Sequence, residues 1–254
     1  MSYGSRNGIN NEKAIVAALN GKRYKDLEPN MKTFITDLFG VVKPRMRIKA
    51  CQTTDRIKPD IKVSIKKDVK FVSIKTATST TLHGEQMYTL VPFFRECGMS
   101  EEMIKIFCLF QYGDGTYDGT GETRLTYMEA ATKYKKQIEL FNRTINRDHK
   151  LVTEIVKRVM FDGVDPEADK ATYLYSGDVE FGRVISRRQV ILYICNKSFG
   201  FYNSMHIGPI IPRLHARYAS GKITNTYYHD QVDFVWPNLN SDVRYIYGHF
   251  SNVN

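Results

Sequence analysis

The stretch Lys58-Pro59-Asp60-Ile61-Lys62-Val63, followed by Phe71-Val72-Ser73-Ile74-Lys75, reads as two short strands joined by a tight, charged turn around Lys66-Lys67-Asp68. Ile61, Val63 and Ile65 alternate with Lys62, Ser64 and Lys66, the period of a half-buried strand. Val69, Phe71, Ser73 and Lys75 share one face of the second strand, and Val72, Ile74 and Thr76 the other. In an antiparallel hairpin Asp60, opening the first strand, meets Ser73 and Lys75, near the end of the second, at one end of the sheet. A carboxylate and an ammonium gathered there can hold a divalent cation and an attacking water.

Upstream of this hairpin two helices are expected. The first runs from a cap at Asn10 or Asn11 through Ala14–Leu19 to a stop at Gly21, with Glu12 in its first turn; the second covers Pro29–Phe39, with Gly40 after it. A strand is expected at Met46–Cys51. Downstream, Thr76–Gly84 reads as a polar loop, with helices at Glu85–Glu96 and Ser100–Phe110, where Ser100 caps Glu101-Glu102. The glycine-rich segment Gly113–Gly121 reads as a mobile surface loop, and helices cover Leu125–Asn142 and Arg147–Phe161. Beyond Asp162-Gly163-Val164-Asp165-Pro166 the pattern turns β-rich. Strands are expected at Ala171–Tyr175, Val179–Ile185, Gln189–Cys195, Lys222–Thr226, Gln231–Trp236 and Val243–Tyr247, with one short helix at Ile210–Tyr218. The fold class this implies is α/β or α+β: a mixed central sheet flanked by helices, in one domain spanning 1–254, with 166–254 a β-rich region.

The chain has 254 residues and a formal charge of +10, with a pI near 9.3. Such an excess favours a polyanionic partner, most often nucleic acid. Cys51, Cys97, Cys108 and Cys195 show no CxxC spacing and read as reduced, mostly buried thiols of a cytoplasmic protein. The first residues lack the apolar core of a signal peptide, and no run approaches the roughly 18 apolar residues of a membrane span.

Phosphodiester cleavage needs a hard cation beside the scissile phosphate, held by carboxylate and main-chain carbonyl oxygens, here Asp60 and Ile74. It also needs a group that orients or deprotonates water and offsets the charge of the transition state, a role for Lys75. A second acidic ligand is expected where Ser73 stands. Either Ser73 holds the metal through water, or the missing carboxylate comes from Glu12 on the first helix or from Glu85, opening a later one.

On these residues the chain resembles the PD-(D/E)xK nuclease superfamily. Within it, the chain is similar to the small type II restriction endonucleases that cut four-base sites and carry an amide in the acidic slot, the GCGC-cutting and MspI-like group. Gly8-Ile9-Asn10-Asn11-Glu12-Lys13 is like that group's helix start, Lys58–Val63 and Phe71–Lys75 are like its two active-site strands, and Arg147–Val159 is like a later helix. Ala219–Ile223 with Gln231–Phe234 is like its closing hairpin. The resemblance implies a Mg2+-dependent endonuclease of double-stranded DNA, with Asp60 on the metal, Lys75 assisting the water and Ser73 in the amide's slot. It implies in-line attack on phosphorus that leaves 5′-phosphate and 3′-hydroxyl ends. A cognate DNA methyltransferase of the same restriction system, and a monomer or homodimer, are expected with it.

The resemblance also implies that 1–165 is mainly a catalytic core and 166–254 a recognition region, with base contacts from this β-rich half and phosphate contacts from basic loops; Arg183, Arg187, Arg188, Lys197, Arg213, Arg217, Lys222, Arg244 and Tyr228 supply guanidinium, ammonium and aromatic chemistry there. Two other readings stay open. One is a non-catalytic DNA-binding protein with a degenerate site; the other is a nicking or structure-specific nuclease of the same fold.

Overall fold

The computed structural model of the chain describes residues 3–53, 57–197, 204–214 and 230–250. In chain order the first elements are α1 (Tyr3–Leu19), α2 (Pro29–Phe39), β1 (Lys49–Gln52), β2 (Ile61–Ile65), β3 (Asp68–Lys75) and β4 (Thr81–Gln86). Five helices follow: α3 (Met87–Glu96), α4 (Glu101–Tyr112), α5 (Tyr127–Lys133), α6 (Lys135–Ile145) and α7 (His149–Lys157). The remainder is β5 (Tyr173–Gly177), β6 (Gly182–Ser186), α8 (Arg187–Asn196), β7 (Ile211–Leu214), β8 (Gln231–Val235) and α9 (Leu239–His249). This is a mixed α/β protein. It divides into two compact units, the first of Met1–Ser79, Met160–Tyr193 and Asn238–Asn254, the second of Thr80–Val159 and Ile194–Pro237.

The first unit is built on a mixed sheet of order β1-β2-β3-β5-β6, antiparallel except for the parallel pair β3–β5. Its hairpin turns through Lys66-Lys67, with Ile65 opposite Asp68 and Lys66 at φ 55°, a conformation the two-residue hairpin turn requires. The alternation read in the sequence sorts the sheet faces. Ala50, Ile61, Val63, Val72 and Ile74 are buried with Ile15 and Leu19 of α1 and Met31, Phe34, Ile35 and Leu38 of α2. Phe34 meets Tyr175 of β5 edge-on, ring centres 4.9 Å apart; each fully buried ring of this size contributes roughly 1.5–3 kcal/mol of transfer free energy. On the other face, α9 packs on β5 and β6. Gly177, at φ 144°, closes the β5–β6 hairpin so tightly that a Cβ would lie 2.1 Å from the Phe181 carbonyl oxygen, so no other residue fits.

The second unit holds an antiparallel sheet of order β4-β8-β7 and helices α3–α7. Buried Gln111 of α4 ties down β7, donating to the Pro212 carbonyl at 3.0 Å and accepting from the Leu214 amide at 2.9 Å.

Several expectations need correction. α1 begins at Tyr3, so Asn10 and Asn11 lie inside it, and the Asn11 side chain donates to the Gly177 carbonyl (2.8 Å) instead of capping. Thr76–Gly84 is not all loop, because β4 begins at Thr81 and pairs with β8; Glu85 therefore sits in a strand, not in a helix's first turn. The helix expected at Leu125–Asn142 is two, α5 and α6. Gln189–Cys195 and Val243–Tyr247 are helical, in α8 and α9, with Val190, Tyr193 and Ile194, and Leu239, Val243 and Ile246, buried at helical spacing. The described part of the short helix expected at Ile210–Tyr218 is instead β7, at the end of its sheet among the described strands, a place where Pro212 is tolerated. Among the described residues the C-terminal region therefore carries the helices α8 and α9 beside the strands β5 to β8. Among the cysteines only Cys108 is buried; Cys97 and Cys195 are half-buried and Cys51 is exposed. The expected strand at Lys222–Thr226 lies outside the described residues. Among the described residues no helix is long and apolar enough to cross a membrane.

Candidate active site

Asp60 sits where two ladders end. Its amide donates to the Val72 carbonyl (3.0 Å), and its carbonyl accepts from the Thr53 amide (3.1 Å). The preceding residue, Pro59, is buried, and its carbonyl accepts from the Thr53 hydroxyl. β2 begins at Ile61, opposite Val72, so β3 runs three residues past its partner, through Ser73, Ile74 and Lys75. The Asp60 carboxylate covers that overhang. Its Oδ2 accepts from the Ser73 hydroxyl at 3.0 Å and from the Ile74 amide at 2.5 Å. The carboxylate thereby satisfies a main-chain donor that would otherwise lack a strand partner.

This geometry leaves a definite set of oxygens. Asp60 Oδ1 accepts no hydrogen bond from a described residue. A strand residue presents its N–H and C=O to the same neighbouring strand, so the Ile74 carbonyl faces the edge that its amide shares with Asp60. Ser73 is 1% exposed and acts as a donor to Asp60. Lys75 is half-buried, opposite Ser176 of β5, and shares the sheet face of Ser73. Asp60 and Lys75 are diagonal cross-strand neighbours, Cα atoms about 7–8 Å apart, within reach of a lysine side chain.

Glu12 approaches from α1. Its Oε2 accepts from Gln52 Nε2 at 3.1 Å, and Gln52 is the register partner of Ile61, the residue after Asp60. In the sequence Gln52 carries one signal only, its place at the end of the strand facing the hairpin. Glu85 lies in the second unit, 3% exposed, where Arg158 donates to both its oxygens at 2.7 and 3.2 Å and His83 lies 3.2 Å away. Burial raises its pKa, but the hydrogen bonds from His83 and Arg158 win and bring it down to about 2. Those contacts hold it as a buried carboxylate paired within its own unit.

Among the described residues no three His, Cys, Asp or Glu side chains gather as a ready-made metal cage. The donors at Asp60 still suit Mg2+, which keeps several waters and takes only one or two carboxylates from a protein. Asp60 Oδ1 and the Ile74 carbonyl are the residues' own contribution, with Glu12 the nearest acid on α1.

The residues expected to touch DNA are scattered. Arg183 is exposed and stands over the Tyr247 ring at 5.2 Å. Arg187 is paired with Asp162 at 2.5 and 2.9 Å and lies over Phe161, a contact inside the first unit that holds the start of α8. Arg188 and Arg244 are exposed. In the second unit Lys197 lines a cavity of about 640 Å³ with Arg143, Arg147 and His149. Arg213 is half-buried opposite Asp233. Arg217, Lys222 and Tyr228 lie outside the described residues.

Comparison with protein-family models and with curated proteins found no match for this chain.

Proposed function

We propose that the chain is a Mg2+-dependent, sequence-specific endonuclease of double-stranded DNA, built on a restriction-endonuclease-like fold. The observation that carries this reading is the Asp60 carboxylate, locked by Ser73 and Ile74 at the overhanging end of β3 with Lys75 on the same face. The mixed sheet, its antiparallel hairpin and its parallel return through β5 agree with that reading, as does the +10 charge. Asp60 Oδ1 and the Ile74 carbonyl would hold the cation, which when bound supplies positive charge beside the scissile phosphate and makes water a better nucleophile. Ser73 fixes the rotamer of Asp60. Lys75 orients the attacking water and offsets the charge that grows on the phosphoryl oxygens during attack. Water adds to phosphorus as the bond to the 3′-oxygen breaks, leaving 5′-phosphate and 3′-hydroxyl ends.

The test is digestion of a fully sequenced, unmethylated plasmid with Mg2+, followed by end mapping. Discrete fragments sharing one terminal sequence, lost in Asp60→Asn, are expected. An uncut plasmid that the protein nevertheless binds supports the second reading, a DNA-binding protein with a degenerate site. That reading is favoured by one observation, that Ser73 adds a hydrogen-bond donor where a second carboxylate is expected.

A further inference from the structure

The segment Lys43-Pro44-Arg45-Met46-Arg47-Ile48-Lys49-Ala50 alternates cations with less polar residues. Lys43, Arg45, Arg47 and Lys49 are exposed, whereas Ile48 and Ala50 are buried in the core of the first unit. The segment is bonded antiparallel to residues 21–25. The Gly21 amide donates to the Ile48 carbonyl, the Ile48 amide to the Lys22 carbonyl and the Tyr24 amide to the Met46 carbonyl, each at 2.9 Å, and the Lys25 amide to the Pro44 carbonyl at 3.0 Å. This second segment adds Lys22, Arg23 and Lys25, all exposed.

Two features set this ridge apart from an ordinary solvated surface. Arg23 and Arg47 are directly paired across the ladder, and like charges placed opposite each other oppose folding. None of these seven cations forms an ion pair with a described residue; the salt bridges of the first unit lie elsewhere, at Lys70–Asp68 and Arg187–Asp162. A backbone ladder therefore holds seven positive charges in fixed order, none of them in an ion pair with a described residue and with Asp26, directly after Lys25, the nearest acid in sequence, a repulsion that an external polyanion would relieve.

We infer that this ridge is a docking surface for the phosphate backbone of duplex DNA. Charge complementarity is the first argument. The second is that three of the cations are arginines, whose planar fork grips phosphate oxygens in pairs. The third is continuity with the candidate site. Lys49 is the register partner of Ser64, which is the partner of Val69, so Lys49 lies on the sheet face of Asp60, Ser73 and Lys75. From Gln52, opposite Ile61, back to Lys49 is three residues, about 10 Å of strand. A duplex presented to Asp60 would thus run onto the ridge. The choice of duplex DNA rests on the nuclease reading, whereas the charge arrangement does not.

The experiment measures binding of the full chain to a duplex of about 30 base pairs in Ca2+ over a salt series. It compares the wild type, the ridge variant Arg45→Gln/Arg47→Gln/Lys49→Gln, and a variant of equal net charge, Lys135→Gln/Lys136→Gln/Lys150→Gln, altered at exposed lysines of the second unit. Each phosphate contact adds about 0.9 to the slope of log affinity against log salt. The ridge variant should therefore lose close to 2.7 from that slope and bind on the order of a hundredfold more weakly at 0.1 M salt, alike for all sequences. The control should keep most of the wild-type slope. Equal losses in both variants would reduce the effect to net charge, and an unchanged slope in the ridge variant would remove the ridge; either overturns the inference. So would a ridge variant that keeps its DNA affinity but loses binding to vesicles of phosphatidylserine and phosphatidylcholine. Matching thermal melts show that the variants fold. If the wild type fails to cut plasmid yet the ridge variant shows the slope loss, the nuclease reading falls and the ridge stands.

Discussion

Replacing Asp37 by asparagine should stabilise the protein in mild alkali and leave it nearly unchanged in acid. Asp37 lies on α2, where its Oδ1 accepts from the Tyr247 hydroxyl of α9 at 3.2 Å, while its Oδ2 is buried without a hydrogen-bond partner. Burial is the larger influence on this carboxyl and pushes it up from 3.8 to about 6, against the pull of Tyr247 and the Arg183 guanidinium. The folded protein therefore holds this proton more tightly than the unfolded chain does. The associated stability is fully present below about 3.8 and is lost as pH rises through about 6. At about 1.4 kcal/mol per tenfold change, the ceiling is about 3 kcal/mol. Because the residue is partly exposed, solvent screening brings the expected effect to about 1–2 kcal/mol. The introduced amide would keep an oxygen for Tyr247 and carry no charge at any pH. Urea unfolding of both proteins at pH 4 and pH 8 measures the effect: the variant should be more stable by about 1–2 kcal/mol at pH 8, and the two should agree within about 0.5 kcal/mol at pH 4. A difference of the same size at both pH values would mean that packing, not ionisation, decides it. A variant less stable at pH 8 would refute the reasoning outright.

Other outcomes test the candidate site. Lys75→Ala should slow single-turnover cleavage at least a hundredfold, within the roughly 10²–10⁴ range of a positioned proton-transfer group, with DNA affinity in Ca2+ within a few-fold of wild type; a normal rate at saturating enzyme would end the catalytic assignment. Ser73→Ala removes a buried hydrogen bond to the Asp60 carboxylate, so it should lose about 1.5–3 kcal/mol in denaturant titrations; a loss below about 0.5 kcal/mol would show that the bond does not hold the site. Glu12→Gln should raise the Mg2+ concentration needed for half-maximal cleavage, and an unchanged Mg2+ titration would remove Glu12 from the metal's surroundings. Glu85→Gln should act on stability instead, by about 3–5 kcal/mol at neutral pH, because it breaks the buried charge pair of Glu85 with Arg158. That loss should shrink as pH falls from 4.5 towards about 2, where Glu85 itself takes up a proton; a melt at pH 7 that matches wild type would contradict the pairing.

What could be read from the sequence, and what could not, follows how far apart the interacting residues lie. The hairpin was legible because its evidence is local. Strict alternation over Ile61–Ile65, a two-residue turn and a partner strand beginning at Asp68 fix both register and face, and hence the meeting of Asp60 with Ser73, 13 residues away. α2 was equally local, with Pro29 at its start and Gly40 at φ 71° after its end. The failures are of two kinds. Val190-Ile191-Leu192-Tyr193-Ile194 is β-branched and aromatic enough to suggest a strand, yet it lies in α8. The deciding local signal was present but overlooked: Ser186 and Gln189 form a reciprocal cap, the Ser186 amide donating to the Gln189 side chain at 2.7 Å and the Gln189 amide to the Ser186 hydroxyl at 3.3 Å. The second kind had no local signal to find. Glu85 looked like a helix-start carboxylate because its partner Arg158 is 73 residues away, and β4 was missed because β8, its only strand partner among the described residues, begins at Gln231. For the candidate site the same division holds. Asp60, Ser73 and Ile74 are joined within one hairpin and could be named in advance, whereas the bond between Glu12 and Gln52 spans 40 residues and required the packing of α1 on β1 to bring it into view.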